Sequence, residues 1–237
     1  MKFLFLCFAI MLSCVANLPD EFIYLKEFAP QIQQSVRYFT KENFVGKQIN
    51  GYNSKNIILT KKAAIALTKV NEQLNKQGYE LVIYDGYRPQ MAVDEFVLWG
   101  KNINATEGKE KQFYYPDLTR KEIFEKGFVA SKSSHSRGST VDLTIIEKGK
   151  KVCEIKEEKR NGKIFLNDCT LDMGMHFDFF GSESHAQSDI MPLIYNQRRM
   201  ILIKAMENEG FKVAQGEWWH FTLINEPFKN EYFNFKI

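Results

Sequence analysis

The chain has 237 residues, 44% of them hydrophobic and 26% charged, and a formal net charge of +3. This is the composition of a folded protein with one sizeable core, and it excludes an intrinsically disordered chain. So small a charge, with no basic stripe carrying interleaved aromatics, gives no footing for nucleic acid.

Met1-Lys2, the apolar run Phe3–Leu12 and small residues ending at Ala16 have the layout of a secretory signal peptide, with cleavage expected after Ala16. The run is shorter than the roughly 20 residues a membrane span requires, and no later stretch is as apolar. The expectation is an exported protein, periplasmic or extracellular, without stable membrane insertion. Leu12-Ser13-Cys14 partly resembles a lipoprotein signal, but Met11 and Leu12 fit its pattern poorly, so anchoring through Cys14 is the less favoured alternative. Removing residues 1–16 takes away Lys2 and lowers the formal net charge from +3 to +2.

No repeat, low-complexity tract or Pro/Gly/Ser-rich linker follows, which predicts one domain over 17–237. Thr60 is placed to cap a helix over Lys61–Gln77, where Ala64, Leu67, Val70 and Leu74 recur at helical spacing and Gly78 ends the run. Glu80–Tyr84 reads as a strand, Asp85–Arg88 as a turn, and Pro89 as the opening of a helix to about Trp99. Lys101–Phe128 is a long polar and aromatic connection with a short helix expected at Thr119–Lys126. Ser131–Gly138 is loop-like, Ser139–Ile146 alternates as a strand, and Asp172–Phe180 is irregular. A helix over Asn196–Glu209 and strands at Phe211–Val213 and Trp218–Ile224 close the chain. Helices with mostly hairpin-connected strands predict an α+β fold: one central antiparallel sheet flanked by helices.

Cys7 and Cys14 lie in or beside the leader, leaving Cys153 and Cys169 as an even pair. Asn161-Gly162 between them is a strong hairpin signal, so in an oxidising compartment a disulfide is expected to clip the base of a hairpin over 153–169, with free thiols as the alternative.

His135 and Asp142 in SSHSRGSTVD, with Glu217 and His220 in EWWH, have the chemistry of a hydrolytic zinc site. Two imidazoles and a carboxylate leave a tetrahedral Zn²⁺ one open position for water, and a further carboxylate beside it can take the water's proton. The plainer reading is a surface histidine, a turn-capping aspartate and an edge strand with incidental polar residues. Strict alternation in a strand also sends Glu217 and His220 to opposite faces, a conflict that a bulge or sharp turn near Gly216 would remove.

Four segments carry a resemblance: YDGYRP at Tyr84–Pro89, SSHSRGSTVDLT at Ser133–Thr144, LDMGMHFDFF at Leu171–Phe180 and EWWHF at Glu217–Phe221. In order and rough spacing they resemble the zinc-dependent D-alanyl-D-alanine dipeptidases, relatives of D,D-carboxypeptidases and of hedgehog signalling domains. The resemblance runs from about Leu81 to Leu223. It implies one Zn²⁺ per chain on His135, Asp142 and His220, with Glu217 as catalytic base and Arg88 as the transition-state arginine. A His₂Asp set also accepts Co²⁺ or Ni²⁺.

Other positions keep two readings. Asp85 either orients Arg88 or caps its own turn, and Ser133 either binds the substrate carboxylate or is a simple loop serine. Asp172 and Asp178 are both candidates for the substrate ammonium or for structural hydrogen bonds. Trp218 and Trp219 flank the base, one expected toward the core and the other toward the pocket. His176 and His185 fall off the ligand positions, and the 153–169 hairpin looks longer than compact members carry. The implied activity is hydrolysis of a small D,D-dipeptide. The alternatives are a carboxypeptidase or peptidoglycan endopeptidase acting on longer peptides, and a zinc-containing binding module without activity.

Overall fold

In the computed structural model, residues 18–237 are described. The expected signal segment over 1–16, and Cys14 with it, lie outside them. Strand β1 (Phe22–Tyr24), helix α1 (Leu25–Phe28), strand β2 (Gln33–Gln34), a 3₁₀ turn at Arg37–Phe39 and strand β3 (Ile58–Thr60) come first, followed by helix α2 (Lys61–Lys76). Thr60 accepts from the backbone N–H of Ala63, and Gly78 takes φ +84 just beyond the helix, so the predicted cap and stop both operate. Strand β4 (Tyr79–Asp85) leads through Pro89 into α3 (Gln90–Lys101). Helices α4 (Lys109–Tyr114) and α5 (Arg120–Glu125) follow, the latter opened by a capping box between Thr119 and Glu122. Helix α4 escapes sequence reading because six residues are too few for a helical period to show.

A 3₁₀ turn at Ser134–Arg137 precedes β5 (Thr140–Glu147), and β6 (Lys156–Arg160) pairs with β7 (Lys163–Asn167) as the expected hairpin. Asn161 and Gly162 have φ of 49° and 80°, the left-handed pair that a two-residue type I′ turn requires. A 3₁₀ turn at Ser182–Ser184, helix α6 (Leu193–Asn208), β8 (Phe211–Ala214) and β9 (Glu217–Leu223) complete the chain. Helix α6 begins earlier than expected because Pro192 takes the N-cap position.

The main sheet has the order β2-β4-β5-β9-β8. Its four longer strands are antiparallel as predicted; the two-residue edge strand β2 runs parallel to β4 and makes the sheet mixed, a departure from the all-antiparallel expectation. Val141, Leu143 and Ile145 alternate onto one face with Ile83, Leu81 and Phe221, and α2 and α6 pack against each other and against the sheet, with Leu67, Val70, Leu202 and Met206 buried. The opposite face carries Asp142, Thr144 and His220 together with the buried Val82 and Ile146. No described helix is long and apolar enough to cross a membrane.

Cys153 and Cys169 are bridged with their Cα atoms 5.5 Å apart, and the bridge closes the hairpin at its base. The 16-residue separation sets the expected effect: replacing both cysteines with serine lowers the unfolding free energy by about 3 kcal/mol. Urea denaturation of the oxidised protein and the double variant checks this.

Candidate metal centre and active-site pocket

Two irregularities in the sheet place the polar row. Ile83 pairs with Leu143, but Asp85 pairs with Asp142, so one extra residue in β4 turns Asp85 onto the same face as Asp142. On the far side Val213 pairs with Phe221 while Ala214 pairs with Glu217, so β9 carries extra residues against β8. That bulge lies inside the EWWH motif, after Glu217, and it lets Glu217 and His220 line one cavity despite their spacing of three. Asp142 and His220 sit directly opposite each other on β5 and β9. Asp85, Asp142 and His220 thus form a row across three neighbouring strands.

His135 joins the row from the 3₁₀ turn. Its backbone N–H donates to Ser133 Oγ at 3.3 Å, and Gly138 closes the turn at φ +80, where a Cβ would lie 2.2 Å from the Phe22 ring. Nδ1 of His135 lies 2.7 Å from the carbonyl oxygen of Gly86. As donor there, it leaves the Nε2 lone pair facing the site, the arrangement that fixes the tautomer of a ligating histidine.

His135 Nε2 and His220 Nδ1 are 3.2 Å apart, and Asp142 Oδ1 lies 3.2 Å from the first and 3.1 Å from the second. A tetrahedral ion with bonds of about 2.0–2.1 Å holds its ligand atoms about 3.3 Å apart, so the triangle has the size such an ion needs. Asp142 Oδ1 is buried and accepts no hydrogen bond among the described residues. A buried carboxylate oxygen left bare between two imidazole nitrogens is costly unless a cation occupies the centre. These three residues therefore form a group that could hold a metal ion.

The triangle faces a cavity of about 390 Å³ lined by Arg88, Ser133, Asp178, Glu217 and Trp219 among others. Arg88 donates from Nε to Asp85 Oδ2 at 2.9 Å and from Nη2 to Asp142 Oδ2 at 3.2 Å. Its guanidinium lies 5.0 Å from the centre of the Tyr38 ring and 5.3 Å from that of Phe96, so two ion pairs and two aromatic faces hold it in place. Burial raises the Glu217 carboxyl to about 7, against the neighbouring His220 and Arg88 and with Asp142 adding to the rise. Asp178 takes a left-handed φ of 64° and accepts from the Tyr38 hydroxyl at 2.9 Å; burial first, and then the Asp142 charge, lift it well above the ordinary carboxylate range.

Residues 19–154 and 165–237 match the peptidase M15 family described as D-ala-D-ala dipeptidase. The chain belongs to that family. A D-alanyl-D-alanine dipeptidase of Enterococcus faecalis is 38% identical over 218 residues, covering 91% of this chain and 98% of its own. The corresponding proteins of Streptomyces coelicolor and Escherichia coli are 34% and 30% identical, covering 92% and 86% of this chain and 98% and 84% of their own. The family match omits 155–164, which takes in all of β6, the Asn161-Gly162 turn and the first two residues of β7.

In this M15 peptidase the residues singled out from sequence do not all meet. Asp142, His220, Glu217, Arg88, Ser133, Asp178 and Trp219 line the one cavity, and His135 is buried behind them, its Nε2 3.2 Å from His220 Nδ1. Asp85 is not among them: it is wholly buried beneath Arg88, and its other oxygen accepts from Tyr52 at 2.7 Å. Asp172 also stays out of the cavity, because its carboxylate is taken by Arg160 at 2.7 Å and by the N–H of Gly174 at 2.8 Å. Trp218 turns away from Trp219 toward a separate small cavity beside Tyr84 and Phe177. His176 is buried outside the site, while His185 is an exposed part of the cavity rim but not of the metal triangle.

Sequence reading missed Tyr38, Phe44 and Phe180 in the walls and Ser134, whose hydroxyl lies 3.4 Å from His220 Nε2. Ser134 had a signal in its place between Ser133 and His135. Tyr38 and Phe44 had none, since one stands in a three-residue 3₁₀ turn and the other in irregular chain.

Proposed function

We propose that this chain is an exported zinc peptidase that hydrolyses the free dipeptide D-alanyl-D-alanine to two D-alanines. The observation that carries this reading is the His135–Asp142–His220 triangle opening on a cavity that also presents Glu217 and Arg88. His₂Asp is a ligand set suited to one Zn²⁺, which when bound supplies the Lewis acidity that activates water.

Glu217 is the general base and acid of the proposal. It takes the proton of the attacking water and returns it to the leaving amine; burial, which lifts the carboxyl to about 7 in the protein alone, offsets the downward pull of a bound cation and keeps the group able to make both transfers. Arg88 uses Nε and Nη2 on Asp85 and Asp142, and Nη1 has no protein partner among the described residues. That nitrogen is available to the oxyanion, and its charge needs no proton transfer before it acts. Asp178 receives the substrate ammonium, since a buried acid lifted by desolvation gains most from an added cation. Ser133 accepts from the His135 N–H and keeps its own proton for the substrate carboxylate. Trp219 forms apolar wall beside them.

Export is supported by the leader-like sequence of 1–16 and by the bridged cysteines, since such bridges persist in oxidising compartments. The dipeptide substrate then comes from cell-wall turnover. A pocket that binds both free termini leaves buried polar groups unpaired with a longer peptide. Release of D-alanine should therefore be much faster from the free dipeptide than from a pentapeptide ending in D-Ala-D-Ala. A preference for the pentapeptide reassigns the chain as a D,D-carboxypeptidase, and no hydrolysis of either by the zinc-loaded protein leaves a binding module.

A further inference from the structure

Asp168 stands at the base of the insertion and has no part in the pocket. It is buried, its carbonyl oxygen accepts from the N–H of Cys153 at 3.0 Å, and the next residue, Cys169, is bridged to Cys153. Its carboxylate is fully engaged. Oδ1 accepts from Thr170 Oγ1 at 2.6 Å, and Oδ2 accepts from the Tyr84 hydroxyl at 2.7 Å and from Nη2 of Arg37. The Arg37 guanidinium also lies 4.9 Å from the centre of the Tyr84 ring, so the three side chains form one buried cluster.

Arg37 and Tyr84, the two residues on Asp168 Oδ2, each immediately precede a residue of the site. After Arg37 comes Tyr38, whose hydroxyl donates to Asp178 and whose ring faces the Arg88 guanidinium. After Tyr84, on the bulged end of β4, comes Asp85, which holds Arg88 by its Nε. Adjacent Cα atoms are fixed about 3.8 Å apart, so a shift of either anchor reaches its neighbour.

We infer that Asp168 is a positioning residue: from the disulfide-clipped base of the insertion, it sets Tyr38 and Asp85, and through them Asp178 and Arg88. The inference rests on the proposed dipeptidase reaction. A rigid support of this kind matters because displacements well below 1 Å already weaken a preorganised site.

The test is steady-state hydrolysis of D-alanyl-D-alanine by zinc-loaded wild type, D168N, Y38F and the double variant, with zinc content and melting curves recorded. D168N keeps an acceptor for Tyr84 but removes the charge facing Arg37. The expected result is unchanged zinc content, a higher KM and a lower kcat, with kcat/KM down about tenfold; in the Y38F background the same change should cost only about threefold, because the route through Tyr38 is already cut. Equal losses in both backgrounds, or kcat/KM within about twofold of wild type, overturn the inference. Should D168N not fold, D168E is carried through the same cycle and judged by the same outcomes. Inactive wild type defeats the dipeptidase reading instead, so the two failures are distinguishable.

Discussion

Glu217→Gln is expected to lower kcat on D-alanyl-D-alanine by about 10²–10⁴-fold, the usual worth of a positioned general base, while metal content stays at the wild-type level. The amide is nearly the same size as the carboxyl and lies outside the His135–Asp142–His220 triangle, so the ligand atoms keep their places. Only the ability to exchange a proton is lost. The pH profile gives a second readout. A base works deprotonated, so kcat/KM rises as pH passes upward through its pKa. Burial puts that carboxyl at about 7 in the protein alone, and a divalent cation alongside pulls it down. The acid limb of the metal-loaded enzyme is therefore expected below pH 7, and it should vanish in the glutamine variant. Metal analysis together with a kcat/KM profile over pH decides it. A variant with wild-type kcat removes Glu217 from the chemistry.

Arg88→Lys is the second large effect. Lysine keeps the charge but is a point donor, whereas Arg88 divides its planar fork between Asp85 at 2.9 Å and Asp142 at 3.2 Å and has a nitrogen to spare. An ammonium drawn to these two buried carboxylates has no donor fixed on the reacting carbonyl. Loss of one oxyanion donor raises a barrier by about 2.7–4 kcal/mol, so kcat should fall by about 10²–10³. KM should change little, because the charge being stabilised appears only in the transition state. Steady-state kinetics of the folded variant checks both numbers; a rise in KM with kcat intact would place Arg88 in ground-state binding.

Much of this fold is legible because its local signals agree with its packing. Thr60 caps α2, Asn161-Gly162 turns the hairpin, and the alternation of Thr140–Glu147 matches a strand in the middle of the sheet. What the sequence conceals are the places where periodicity breaks. A strand of regular alternation cannot bring Glu217 and His220 together, and the bulge that does so is a property of the pairing with β8 rather than of the residues in EWWH. The same holds for Asp85, which a register shift turns onto the site face. Asp172 and Asp178 are equivalent in sequence because the segment between them has no period. Arg160, from the hairpin, takes one, and a left-handed backbone at the other leaves it facing Tyr38. Tyr38 itself could not be found, since nothing local marks a tyrosine in a three-residue 3₁₀ turn as a wall of a distant site.

His135 and His220 are separated by 85 positions along the chain. Only the first two ligands are local, on a turn and the strand that follows it; the third arrives when β9 docks beside β5. Contacts so remote carry the entropic cost of closing a long loop. A nascent or stalled polypeptide ending before β9 thus offers a bidentate pair and no more. Backbone ladders hold Asp142 opposite His220, so strand pairing by itself sets the spacing of these two side chains.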